Sequence, residues 1–248
     1  MKATIRASSL LTSVFLALVP GICHAERFNW GFSPTDPEPY VITHNNSLTD
    51  GLTHGIGTLV AAHLGWEVTF VATPNARVDD AMRTGRIDLI CNTQPAWHEP
   101  AEEYLWTTPL YEDADIIVTS TNSPAPDGLK ALHGSIVGAS LGYHYADELS
   151  QAFTSGAIVR RDVRDLGTRL RMIERGRLHA SVDLRRAVRF HVRQQGLKSV
   201  RISNWTVEEM ALSCAIAKLD KTKANSLAEA IEALLEQQRV QEVVRRFD

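Results

Sequence analysis

Apolar side chains recur at helical spacing over residues 52–64. Ile56, Leu59, Val60 and Leu64 line one face there, and Gly65 stands where a helix turns into the left-handed region. Short apolar runs before and after it, over 28–32 and 66–72, read as strands. A second helix is predicted over 76–84 and a third strand over 87–91. Strand, helix, strand, helix, strand in that order favours a parallel sheet with helices on its faces. Pro34, Pro37 and Pro39 keep the chain extended after the first strand, and 45–50 reads as a polar turn. The scheme then repeats. A loop from Trp106 leads into a strand over 115–119, and a Pro- and Ser-containing linker covers 122–127. Strands over 135–139, 157–159 and 180–183 alternate with helices over 145–153 and 166–175. A strand over 212–217 and two amphipathic helices, 223–235 and 240–247, finish the chain.

Two joints in this pattern echo each other. Gly85-Arg86-Ile87-Asp88-Leu89-Ile90 and Gly176-Arg177-Leu178-His179-Ala180-Ser181-Val182 each follow a helical run and open a strand. They lie about 90 residues apart, too far for a solenoid and suited to one small lobe each. Two similar α/β lobes enclose a cleft, and clefts hold small ligands.

The N-terminus adds a location. Lys2 and Arg6 precede an apolar core over 10–19, which Pro20 and Gly21 break, and Cys23-His24-Ala25 puts small residues at the cleavage positions. Residues 1–25 are therefore expected to be a cleaved signal peptide, leaving a soluble periplasmic protein. A lipid anchor on Cys23 fits less well, because Ile22 stands where a small residue belongs. The chain carries a net charge of −3 and no block of Lys or Arg, which argues against nucleic acid as a partner. Arg160, Arg161 and Arg164, then Arg185, Arg186 and Arg189, are interspersed with Asp and apolar residues and read as solvated faces. Cys91 and Cys214 are the cysteines that remain after cleavage; they read either as a disulfide or as two buried thiols.

Ligands of open α/β sheets sit at the carboxyl ends of strands. That rule selects Tyr40, as a stacking ring or an edge plug, and Asn92, Thr93 and Gln94, as ligand hydrogen-bonders or loop caps. Trp97 follows, to stack or to anchor the loop. Tyr143 and His144, with Gly142 and Tyr145, open a predicted helix whose free N–H groups suit an anion; the tyrosines read equally as packing. Asp183 ends its strand, either receiving a cation or capping a helix. His spacing and Cys spacing match no metal motif, and no dinucleotide or nucleophile-elbow motif occurs, so neither metal nor cofactor is expected.

With these residues in view the mature chain resembles the periplasmic solute-binding proteins of family 3, the type serving polar amino-acid ABC transporters. The likeness rests on Pro39-Tyr40, on Gly51 followed by the helix to Leu64, and on Gly85 to Ile90. It continues in Trp106-Thr107-Thr108-Pro109-Leu110-Tyr111, in Leu132 to Gly138 and in Gly176-Arg177. The resemblance implies a type II periplasmic-binding fold, each lobe a mostly parallel sheet flanked by helices, with two crossing strands as hinge. Lobe one would hold 26–115 and 212–248, and lobe two 116–211. Cys91 and Cys214 would then meet on one sheet. A small polar solute would be trapped by hinge closure and passed by a monomer to a membrane permease. Alternatives on the same fold are a secreted cyclohexadienyl-dehydratase-like enzyme, with His144, Asp183 or Glu99 as acid or base, and a sensory binding protein. One departure bears on the ligand. The family's carboxylate-clamping Arg falls on Pro100, and 95–103 contains no Arg. Arg164 is the substitute the sequence offers. Asp183 stands one residue before the family's ammonium-binding Asp.

Overall fold

The computed structural model describes residues 25–248, so the predicted signal peptide, Ala25 apart, lies outside the described residues. The first half builds β1 (Arg27–Phe32), β2 (Ile42–His44), β3 (Ser47–Asp50), α1 (Leu52–Leu64), β4 (Glu67–Ala72), α2 (Val78–Arg83), β5 (Leu89–Thr93), β6 (Tyr104–Trp106) and β7 (Tyr111–Ser120). The second builds β8 (Ile136–Ala139), α3 (Asp147–Thr154), β9 (Val159–Asp162), α4 (Leu166–Glu174), β10 (Ala180–Leu184), α5 (Arg185–Gln195), β11 (Val200–Ala217), α6 (Lys221–Glu236) and α7 (Arg239–Arg245).

The sheet runs β4-β1-β5-β11-β7-β10-β8-β9. At one end β1 pairs in parallel with β4 and β5; at the other β8 pairs in parallel with β9 and β10. Between these two parallel sets run β7 and β11, antiparallel to each other. β11 pairs with β7 from Val200 to Leu212 and with β5 from Ser213 to Ile216, so one strand serves both halves. Its register against β7 shifts between Ile202 and Thr206 and between Thr206 and Glu208. The fold is thus an α/β arrangement of two mostly parallel sheets joined by two crossing strands.

Leu52, Ile56 and Val60 of α1 stand at four-residue steps and are fully buried. α6 and α7 return to them, placing Leu227, Ile231 and Val240 in the same apolar cluster. Val137, Leu149, Ile158 and Val182 form a second cluster under α3. Both helix-to-strand joints have left-handed glycines, Gly85 at φ 71° and Gly176 at φ 66°. Nothing lies within 4 Å of a Cβ placed on Gly176, so its backbone angle, not crowding, asks for glycine.

Four expectations shift. The polar turn over 45–50 is a small hairpin, β2–β3, turned by Asn45 and Asn46 at φ 50° and 62°. The strand predicted over 157–159 starts at Val159, and the helix predicted from 145 starts at Asp147. The strand predicted over 212–217 is the last third of an 18-residue strand. Between β10 and β11 the chain forms α5, which the apolar pattern does not announce.

Candidate functional site

A cavity of about 330 Å³ opens between the two halves. Its walls are mostly the carboxyl end of β5 and the loops around it, faced from the second half by Gly142, Tyr143 and His144. Tyr40, Asn92, Thr93, Trp97, Tyr143 and His144, all singled out from the sequence, line it together.

Their environments differ. Tyr40 is 1 % exposed and its hydroxyl donates to the buried Asp113 carboxylate, so the ring is a fixed wall. Asn92 takes φ 58°; its Nδ2 donates to Thr53 Oγ1 at 2.9 Å and its Oδ1 accepts from the Tyr111 hydroxyl. That amide therefore braces β5 against α1 and β7. Trp97 reaches across the opening to Tyr143, ring centroids 5.9 Å apart and edge to face. His144 is exposed at the rim.

Five residues named from the sequence stand elsewhere. Gln94 is outside the cavity lining, and its carbonyl accepts from Trp97 N at 3.1 Å. Asp183 is buried beneath α4, where its carboxylate takes Arg169 through both Nε and Nη2 and also Ser181 Oγ. Both charges of this pair are shielded from solvent, so the Asp183 carboxylate is committed to the protein's own guanidinium. Glu99 and Arg164 are exposed and outside the lining. Tyr145 is buried, and its hydroxyl accepts from Ser140 N at 2.7 Å. α3 begins with Asp147 and Glu148, which already answer its free N–H groups.

The site also holds residues the sequence reading did not select. His98 is buried with Thr93 Oγ1 at 2.7 Å from its Nε2, while its Nδ1 donates to Asp79 Oδ1 at 2.6 Å. The Tyr104 hydroxyl donates to the same Asp79 oxygen at 2.9 Å. Asp36 stands half-buried at the mouth; burial pushes its carboxyl up to about 7, and hydrogen bonds from Ser33 and Asn75 pull the other way. Deeper in, Asp115 is fully buried; the Tyr143 hydroxyl donates to its Oδ1 at 3.2 Å and its Oδ2 has no partner. Desolvation drives that carboxyl well above the usual carboxylate range. The lining thus combines rings, neutral hydrogen-bonders and the carboxyls of Asp36 and Asp79, with neither Arg nor Lys among the described residues. Cys91 lies in the cavity floor and is disulfide-bonded to Cys214 of β11, Cα atoms 3.9 Å apart. Among the described residues no cluster of His, Cys, Asp and Glu has metal-binding geometry.

A cleft between two such sheets, crossed by two strands, defines a type II periplasmic-binding fold. The chain belongs to the bacterial extracellular solute-binding proteins, family 3, which it matches over residues 29–247. It is similar in structure to an ancestral arginine-binding protein bound to arginine, with a TM-score of 0.74 and 17% identity over 90% of this chain and 99% of that one. It is also similar to an ancestral amino acid-binding protein, AncCDT-1, described as a precursor of cyclohexadienyl dehydratase (TM-score 0.71, 17% identity, 89% and 95% covered). A histidine kinase sensor domain with similarity to periplasmic binding proteins matches at a TM-score of 0.71 and 15% identity, over 90% and 96%. Comparison with curated protein sequences finds no match.

Proposed function

We propose that this chain is a periplasmic receptor that closes its cleft over a small organic cation with a flat or apolar body and delivers it, as a monomer, to a membrane transporter. The observation that carries this reading is the cavity lining: Tyr40, Trp97 and Tyr143 beside the carboxyls of Asp36 and Asp79, with no Arg or Lys. Aromatic faces attract desolvated cations by up to about 2 kcal/mol. A ligand carboxylate entering the same space meets Asp36 and Asp79 and no guanidinium. Losing one charge-assisted clamp costs about 1.5–3 kcal/mol, roughly a 10- to 150-fold weakening. Standard α-amino acids are therefore expected to bind weakly. Export belongs to the same reading, with Glu26 as the mature N-terminus.

The enzymatic alternative draws on the Thr93–His98–Asp79 chain of hydrogen bonds and on the AncCDT-1 likeness. An acidic cyclic substrate, however, lacks a cationic partner in this lining, and Asp183 and Glu99 are not available to it. The cation reading is therefore preferred.

Isothermal titration against primary amines, guanidines and quaternary ammonium compounds without a carboxylate, and against the standard amino acids, tests it. Micromolar binding of a cation, weakened about 5- to 30-fold by Trp97→Ala, is the expected result. Sub-micromolar binding of a common amino acid, with none of a carboxylate-free cation, overturns it.

A further inference from the structure

A larger cavity, about 720 Å³, has no lining residue in common with the cleft and meets it through the Tyr40–Asp113 hydrogen bond and the Ala211–Leu212 stretch of β11. One wall is α5, which contributes Arg185, Arg186, Arg189 and Arg193. Positions 185, 189 and 193 follow one another at four-residue steps, so these guanidinium groups share one helix face. Like charges at that spacing repel along an isolated helix. From the sequence this row reads as a solvated face; in the fold it faces a concavity closed by β7, β11 and the end of the chain at Phe247 and Asp248.

Much of the donor capacity of this row is unspent. Arg186 Nη1 donates to the Asp248 carboxylate, while its Nε is buried without a hydrogen bond, 3.9 Å from Asp113 Oδ2. Arg193 Nη2 donates to the Phe247 carbonyl at 3.1 Å, and Arg185 Nη2 donates to Thr206 Oγ1 at 2.9 Å. Arg189 is exposed and makes no hydrogen bond or ion pair among the described residues. Each guanidinium carries five N–H donors in a planar fork that matches carboxylate and phosphate oxygens. The cavity's acids answer this charge only in part. Asp113 is buried, accepts from Tyr40, Ala114 N and Arg186 N, and burial pushes its carboxyl up. Glu112 and Glu209 are exposed, and Glu209 is 4.0 Å from Arg185. Asp248, half-exposed, shows that a carboxylate seats on Arg186.

We infer that this cavity is a binding site for a multivalent oxyanion, a phosphate or a di- or tricarboxylate, held by Arg185, Arg189 and Arg193 beside the Arg186–Asp248 pair. None of the residues that line it also lines the cleft, although its walls include stretches of both hinge strands, β7 and β11.

Thermal unfolding and isothermal titration of the mature protein with inorganic phosphate and with citrate, against sodium chloride at matched ionic strength, test the site. The expected result is one-to-one binding of at least one of the two, with a melting-temperature increase that chloride does not reproduce. Arg189→Gln, which disturbs no contact in the fold, should weaken that binding at least fivefold, and R189Q/R193Q should abolish it. Two results overturn the proposal: stabilisation by chloride equal to that by both oxyanions, or oxyanion binding undiminished in R189Q/R193Q. Retained melting cooperativity in Arg189→Gln separates loss of the site from loss of the fold.

Discussion

The two cavities share the hinge strand β11 and differ in almost everything else. The cleft is lined by rings, amides and carboxyls without a guanidinium or ammonium group. The second cavity gathers four guanidinium groups from one helix. Both take walls from β11, Leu212 in one and Glu209, Met210 and Ala211 in the other. Neighbouring stretches of one strand thus serve opposite electrostatics. The difference teaches that net charge, here −3 for the whole chain, says little about either site. What decides ligand chemistry is which charges the fold collects around one space.

The largest effect that separates the two should come from the disulfide. Cys91 and Cys214 close a loop with a sequence separation of 123, and a loop of that size contributes about 4–5 kcal/mol in the chain-entropy model. C91S/C214S should lose most of that in urea unfolding and weaken cleft ligands, while the anion response survives under folding conditions. Two alkylatable thiols in freshly isolated, unreduced protein, found by mass spectrometry, would remove the premise.

Next come two arginines of contrasting burial. Arg169→Leu leaves Asp183 buried and unpaired, an expected loss of about 3–5 kcal/mol. Arg189→Gln should change stability by less than about 0.5 kcal/mol. Chemical denaturation of both variants measures the contrast; equal costs would break the distinction between a guanidinium that holds the fold and one that faces a cavity.

The smallest effect is a pH dependence confined to the cleft. Asp36, raised to about 7, favours its neutral form in the folded protein. Its contribution to stability is therefore greatest below its unfolded value and falls as pH rises toward 7. A bound cation favours the ionised form, so cation affinity should rise with pH through 7. Titrations at several pH values should show this slope in wild type and lose it in Asp36→Asn. A slope that persists in Asp36→Asn shows that Asp36 is not its source.

Much of the scaffold is legible in the chain because it rests on local pattern. α1 needs only its apolar steps and Gly65, at φ 68°, to be bounded. The two Gly-Arg joints announce their left-handed turns. β11 is less visible. From Val200 to Met210 it pairs with β7 across register shifts and carries half-exposed and charged residues, so neither alternation nor an apolar run marks it. α5 is hidden for a related reason: Arg fills the face that closes a cavity, where an apolar stripe would have been read. Within the site, single residues at strand ends were accessible and partnerships were not. Arg169 meets Asp183 across 14 residues and His98 meets Asp79 across 19, contacts that exist only once α4 and α2 are packed. The one local hint at His98 was its place in a run lacking the family's arginine.

The sharing of β11 has a consequence for how the chain is made. β5 is complete at Thr93, yet the strand that covers its free edge ends at Ala217. Everything from β6 to α5 must be synthesised before that edge finds its neighbour. The intervening half pairs β8, β9 and β10 among themselves and with β7, so most of its seams close among segments already synthesised. The N-terminal half has to wait with an open strand, and long-range closure of this kind is slow. Cys91 waits on that edge for Cys214, so oxidation of the pair records the seating of β11, a step apart from the packing of α6 and α7 on α1.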